Sequence, residues 1–468
     1  LPAGTPFGLV GTSSFYKRES YPNGLVKPGA VTAAYAGGDP SGYEDLDPFN
    51  PASDGVSLNW FNQGADAGRY TNEDVHAVRV LAMEPNTDRN KGPHGGRTFR
   101  SHASEKLRIL GEIPLRKFGP DGKQPTDPDG NPDTSFLAKI PADVGFTFQT
   151  LDKNGMVLNM AQTWHQVRPG EVRNDCGGCH AHSQKPTHFK DTAAARPEYA
   201  LFDLTQKTPL LTTKAGDESK RQWDAKDSTG LRYAGAVKNV EYFRDVKPIL
   251  DRSCAACHTL SGNAPARLVL DDHKTISVAD CDDVPGTYYR LAMDGAGRFG
   301  PKPLVNGWRG ANASRYVRMF QSRRSLLVWK VYGARLDGWT NDDFPTETAP
   351  GDARTLALKG EPVANTPANR ARADLDFTGS VMPPPDAVKS GKVAPLSDED
   401  RLTLVRWIDL GCPIDLAYDP QGPARSGFGW ALDDQRPTLT VASPKPGANA
   451  PLDRILIGAH DYGTGLDP

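Results

Sequence analysis

The chain holds 468 residues, enough for two to four domains of roughly 100 to 200 residues each, and its 55 Lys and Arg against 57 Asp and Glu leave a formal charge of −2. That balance supplies no positive field to gather nucleic acid or anionic lipid, and no apolar run approaches the roughly 18 to 20 residues needed to cross a bilayer. With 47 glycines and 40 prolines, Gly and Pro usage exceeds the average of about 12% without reaching low-complexity levels, which predicts many turns and long connections. The chain opens at Leu1 with neither a charged n-region nor an apolar h-region, and the expectation is a mature soluble protein.

In chain order, residues 1–100 read as an irregular or β N-terminal region in which Val75 to Met83 is the clearest strand. Residues 101–235 read as an antiparallel β-sandwich followed by a linker. The strands are expected at Leu107–Leu110, Phe136–Ile140, Phe146–Phe148 and Met156–Leu158, the last two joined at Asn154-Gly155. A final strand near Trp164 to Val167 turns at Pro169-Gly170, and 181–235 is expected to be polar surface linker. From 236 to 420 a mainly α-helical module with long loops is expected. There Phe243, Val246, Ile249 and Leu250 make a helical stripe that Pro248 must start or kink. Ser397 caps the chain's clearest helix, with Asp398, Glu399 and Asp400 in its first turn, Leu402, Val405 and Ile408 on one face, and Gly411 as its stop. Residues 421–468 form a Pro- and Gly-rich tail with a strand at Ile455–Ile457. The fold class is α+β and multi-domain.

The cysteines carry the chemistry. Cys176-Gly177-Gly178-Cys179-His180 and Cys254-Ala255-Ala256-Cys257-His258 both read C-x-x-C-H, the attachment signature of c-type haem. Two thiols three positions apart reach both vinyl groups on one porphyrin edge, and the following residue brings its imidazole under the iron. A thioredoxin-type C-x-x-C requires a βαβ context and no following histidine. Paired zinc ligands usually lie about 15 to 20 residues apart, whereas 74 residues separate Cys179 from Cys254. Two covalent haem c groups are therefore expected, which places the chain outside the cytoplasm, periplasmic or extracellular.

For the second haem, His258 is the proximal ligand and Met382 the expected distal one, since Pro383 and Pro384 stiffen a loop that presents a thioether; His273 is the next candidate. For the first, His180 is proximal and His165 is favoured on the distal side, ahead of His188 and His102, with an open site as the remaining alternative. His182 lies too near His180 to reach the opposite haem face. Cys281 and Cys412 remain, and in an oxidising compartment a disulfide closing a loop of about 130 residues is expected. Asp127, Asp129 and Asp133 surround a glycine turn in the manner of a calcium loop, yet two prolines and the missing bidentate Glu favour a plain hairpin loop.

Two stretches resemble known families. Phe243-x-x-x-Lys247-Pro248-Ile249-Leu250 ahead of Cys254, with Met382-Pro383-Pro384 and Trp407-Ile408, resembles the cytochrome c domains of large secreted planctomycete-type proteins, over about 240–415. Ile140-Pro141-Ala142, Leu151-Asp152-Lys153-Asn154-Gly155 and Arg168-Pro169-Gly170-Glu171 resemble the middle domain of the hydrazine synthase alpha subunit family, over about 102–182. The first resemblance implies electron transfer and the second a haem enzyme. In the hydrazine synthase family a tyrosine shortly after the motif histidine takes the iron and that histidine turns to zinc. Here Ala181, His182, Ser183 and Gln184 follow His180, with no tyrosine before Tyr199.

The expected function is a dihaem c-type cytochrome that passes electrons to a redox protein or within a multi-haem assembly. The alternative is a catalytic haem enzyme, hydrazine synthase-like or peroxidase-like, with an open iron at the first haem. Dihaem peroxidases space their motifs more widely than this chain does. A structural role in a secreted surface protein is the third possibility.

Overall fold

The computed structural model describes residues 5–15, 67, 70–84, 106–117, 123–161, 164–174, 176, 187–218, 220, 229–235, 237–278, 284–303, 313–338, 340–342, 355–356, 363–364, 366–414, 438–445, 447–448 and 450–460. Two four-stranded sheets organise the first half. In chain order their strands are β1 (Phe7–Thr12), β2 (Ala77–Glu84), β3 (Lys106–Pro114), β4 (Phe136–Pro141), β5 (Phe146–Leu151), β6 (Val157–Met160), β7 (Val172–Arg173) and β8 (Phe202–Asp203). One sheet runs β7-β1-β4-β8 and the other β3-β2-β5-β6. A hairpin of β9 (Thr208–Thr213) and β10 (Thr229–Ala234) lies alongside β3, where Leu211 N–H donates to the Glu112 carboxylate.

This arrangement corrects three expectations. The boundary at residue 100 does not hold, because β1 pairs with β4 and β2 sits between β3 and β5. A strand as apolar as Val78-Arg79-Val80-Leu81-Ala82 is stable only as an interior strand covered on both faces. The β7-β1-β4-β8 sheet is mixed, since β7 runs parallel to β1 and β8 parallel to β4, whereas the β3-β2-β5-β6 sheet is antiparallel throughout, as expected. The presumed linker also contributes β8 to β10, and it buries Phe202, Leu210, Leu211 and Leu231. The Asn154-Gly155 hairpin forms as expected: Gly155 adopts φ +74° and the Asp152 carboxylate accepts the N–H groups of Asn154 and Met156.

Strand alternation gives the central sheet two buried faces. Val78, Val80, Phe146 and Phe148 join Val10, Phe136, Ala138 and Ile140 in the sandwich core. On the opposite face Leu81, Leu107, Ile109 and Met160 join Val246, Ile249, Leu250, Val328, Val405, Trp407 and Ile408. The expected boundary near 236 is thus a change of element type along the chain, while the apolar core continues across it.

The helices are α1 (Lys247–Ser253), α2 (Gly286–Ala292), α3 (Leu326–Tyr332), α4 (Pro367–Arg372), α5 (Pro385–Lys389) and α6 (Asp398–Asp409). One wide turn over Tyr242–Val246 leads into α1, and Pro248 falls in its first turn, where a missing N–H costs nothing. The Ser397 hydroxyl accepts from Asp400 N–H and the Asp400 carboxylate accepts from Ser397 N–H, a reciprocal cap for α6. Gly411 ends it at φ +85°, where a Cβ would lie 2.7 Å from the Phe320 ring. The strand expected at 455–457 is present as Leu456–His460, paired with Thr438–Ser443. Among the described residues no helix is long and apolar enough to cross a membrane.

Candidate haem sites

The second motif begins where α1 ends. Cys254 N–H and Ala255 N–H both donate to the Leu250 carbonyl at 2.9 Å, and the chain then coils tightly, with Cys257 N–H 3.2 Å and His258 N–H 3.3 Å from the Cys254 carbonyl. This turn keeps both thiols and the imidazole on one compact segment, with Cys254, Cys257 and His258 all half-buried. Burial pushes the Cys254 thiol up to about 11, helped by Cys257 and opposed by Arg252.

The His258 ring is oriented from outside the motif. Its Nδ1 lies 3.0 Å from the Leu268 carbonyl oxygen. A carbonyl only accepts, so Nδ1 carries the proton and Nε2 presents its lone pair. Burial lowers the basicity of this imidazole, and the carbonyls of Leu268 and Pro265 act in the opposite sense. The segment supplying those carbonyls is held in an unusual shape: Ala266 and Arg267 have φ of +53° and +56°, Tyr316 OH donates to the Ala266 carbonyl at 2.8 Å, and Leu270 N–H donates to the His258 carbonyl at 2.8 Å. None of these groups has a sequence signature, and sequence reading missed them.

Met382 is half-buried in the loop between α4 and α5, and its N–H donates to the Lys330 carbonyl of α3 at 2.8 Å. The following loop returns to α1, where Ala394 N–H donates to the Arg252 carbonyl and Arg252 pairs with Asp400. His273 is exposed.

The donor set suits haem c. Two thiols and an imidazole whose Nδ1 is committed to the Leu268 carbonyl are the groups covalent attachment requires. The Ser253 hydroxyl, buried beside Cys254, also lacks a hydrogen-bond partner among the described residues.

At the first motif, Cys176 is half-buried three residues beyond β7, while Cys179, His180 and His182 lie outside the described residues, as does His102. His165 exchanges two 2.8 Å backbone hydrogen bonds with Phe146, and its ring lies 5.8 Å and 5.6 Å from the Phe146 and Phe148 rings. His188 is exposed at the start of a short helical turn.

The Asp127 carboxylate accepts the N–H groups of Asp129 and Asn131 within the turn, Asp129 accepts from Thr187, and Asp133 binds Lys117, Ser135 and the Ala193 N–H. These carboxylates are spent on separate partners, and among the described residues no three His, Cys, Asp or Glu converge on a metal position. Cys412 is buried at α6's end and Cys281 lies outside the described residues.

Between the sandwich and the helices lies a charge network that sequence reading also missed. Arg79 stands directly across from Glu112 on β3 and Gln149 on β5. It donates to Glu112 at 2.8 Å, to Gln149 at 2.9 Å and to the Gly155 carbonyl at 3.1 Å. Arg406 of α6 approaches the same carboxylate at 3.1 and 2.8 Å. Burial disfavours the Glu112 charge, but Arg406 and Arg79 outweigh it and hold the carboxyl down at about 2.

A model of the hydrazine synthase alpha subunit middle domain matches residues 73–181. That span starts just ahead of β2 and takes in the first motif. The hydrazine synthase subunit alpha of Kuenenia stuttgartiensis is 24% identical over 387 residues, which is 75% of this chain and 39% of that protein. The solved hydrazine synthase structure from Kuenenia stuttgartiensis aligns at a TM-score of 0.47 and 17% identity, over 88% of this chain and 43% of the other. The chain therefore spans about two fifths of the curated relative. By these comparisons it resembles the hydrazine synthase alpha subunit family.

Proposed function

We propose that the chain is a dihaem c-type cytochrome that carries electrons in the periplasm or outside the cell, as one part of a larger redox assembly. The observation that carries this reading is the Nδ1 contact of His258 with the Leu268 carbonyl, which leaves Nε2 prepared for an iron beside two thiols. Cys254 and Cys257 are the thioether anchors of one haem, with His258 as its proximal ligand and Met382 as its distal one. Cys176, Cys179 and His180 have the same roles for the other, with His165 as the distal ligand. Haem c supplies a reversible one-electron couple when bound. The protein's part is to fix the ligands, exclude water and set the charge around each site. The near-neutral net charge speaks against nucleic acid and for a protein partner.

A second reading rests on the family match over residues 73–181, which includes the first motif. In that reading the first haem has an open position and is catalytic, in the manner suggested by the relative's name. One experiment separates the two: quantify haem as pyridine haemochrome, then record reduced spectra with and without carbon monoxide. Two haems per chain with no carbon monoxide shift support electron transfer. A shift in half of the haem, surviving in a Met382→His variant, assigns an open iron to the first motif and replaces the relay with an enzyme.

A further inference from the structure

Asp409 closes α6 with 0% exposure, and its carboxylate sits between β6 of the central sheet and the helical turn Ser322–Arg324 that precedes α3. Its Oδ2 accepts from Val157 N–H of β6 at 3.2 Å and from Ser322 Oγ at 2.9 Å, and its Oδ1 accepts from Ser322 N–H at 2.9 Å. Gln149 of β5 donates to its backbone carbonyl at 2.7 Å. Among the described residues its nearest cation is Arg79 of β2, 3.7 Å away and already committed to Glu112 at 2.8 Å.

The remaining charged groups around it are satisfied elsewhere. Arg406, on the same helix, is bidentate on Glu112 of β3, with Glu399 at 3.9 Å. Arg323, beside Ser322, lies 3.3 Å from Asp152. Two arginines thus share one fully engaged carboxylate, and Asp409 is left with a distant fraction of a cation. Burial is the larger influence on its acidity, pushing it up to about 6 against Arg79 and the hydrogen bonds from Ser322 and Val157. The Ser322 hydroxyl can rotate from donor to acceptor, so a protonated Asp409 keeps a partner without backbone movement.

We propose that Asp409 is the proton-loading group of this chain, taking up one proton from solvent when the chain accepts an electron and releasing it on oxidation. This rests on the haem reading above. The electron comes from a one-electron donor and ends on a haem iron. The proton ends on a carboxylate oxygen of Asp409, and the O–H bond is the only bond made. The position suits this: α6 packs in one core with α1, which leads into Cys254, and with α3, which holds the Met382 loop, while the carboxylate itself sits among strands of the sandwich that leads to Cys176. In a low-dielectric seam, an added negative charge raises the proton affinity of a nearby carboxylate.

The test is spectroelectrochemical titration of the full-length holoprotein from about pH 5 to about pH 7.5, the window around the raised value, with wild type and Asp409→Asn compared. The expected result is a midpoint potential that falls as pH rises in wild type and a flat profile in the variant. A flat wild-type profile, or an unchanged slope in Asp409→Asn, overturns the proposal. Should the variant fail to fold, the reduced-minus-oxidised infrared difference spectrum of wild type decides. A carboxylic C=O band gained on reduction at pH 6 supports Asp409, and its absence overturns the assignment. A carbon monoxide shift in these samples would displace the relay reading while leaving the proton assignment to stand or fall on the slope.

Discussion

Arg406 and Glu112, 294 residues apart in sequence, form a bidentate pair whose two side chains are 2% and 1% exposed. With Arg79 on the other side of the same carboxylate, this contact joins the central sheet to α6 where no water competes. Removing one member of such a group leaves uncompensated charge in a low-dielectric seam, a larger effect than the pair's net contribution. Glu112→Gln should therefore destabilise the protein by about 3–5 kcal/mol. Because the apolar core runs through the seam, urea unfolding followed by sandwich and helical probes should shift to lower denaturant in both signals together. A shift confined to one probe would show that the two parts unfold independently.

Glu112 and Asp409 give opposite pH dependences. The Glu112 carboxyl lies at about 2 in the folded chain against an ordinary 4.5, so its contribution is complete above about 4.5 and is lost as pH falls through 2. Asp409 is raised to about 6 from 3.8, so folding favours its protonated form and stability rises as pH falls from about 6 towards 4. Each shift corresponds to about 3 kcal/mol at most. Equilibrium unfolding across pH should show greater stability near pH 5 than at pH 7.5, and Asp409→Asn should reduce that gain, the rest coming from the other raised carboxyls Asp152, Asp374 and Asp376, while retaining the loss below about pH 4.

The loop that supplies the His258 acceptor is strained at Ala266, whose φ of +53° and ψ of +18° place a Cβ in the left-handed region. That conformation costs roughly 1 kcal/mol for a residue other than glycine. Ala266→Gly should raise stability by up to about 1 kcal/mol, reduced by the greater entropy of glycine in the unfolded chain. Tyr316→Phe removes the hydroxyl that holds the Ala266 carbonyl and should cost about 1 kcal/mol. Calorimetry should show melting temperatures moving in opposite directions, and a shift of the same sign in both would refute this account of the loop.

Features that depend on neighbours in sequence were legible in the sequence: the two C-x-x-C-H pentads, the reciprocal Ser397 and Asp400 cap, and the Asn154-Gly155 hairpin. Arg79 shows where legibility stops. The apolar residues around it mark the strand as interior, but nothing in the sequence says which partners an arginine on that strand would find, and these include Asp409 at the end of α6. Whether an alternating strand has one covered face or two depends on what a later part of the chain lays over it. The Leu268 carbonyl is a second case, because every residue has a carbonyl and only the fold brings this one to His258. The β9–β10 hairpin escaped notice because its flanking residues are polar, and two buried leucines at Leu210 and Leu211 were too short a signal beside them.

Met382 is the distal ligand in the proposed second site, and its replacement separates attachment from ligation. Cys254 and Cys257 belong to a different segment from the Met382 loop, so Met382→Ala should retain two haems per chain by pyridine haemochrome. Losing the thioether opens one coordination position and removes a ligand that favours ferrous iron. One haem of the two should then bind carbon monoxide, and its midpoint potential should fall. Met382→His should restore six-coordination and abolish the carbon monoxide shift while keeping a potential below that of wild type, since imidazole stabilises ferric iron relative to thioether. If Met382→Ala leaves both the carbon monoxide spectrum and the potentials unchanged, Met382 fills space beside α3 and the sixth ligand must be sought elsewhere, beginning with His273.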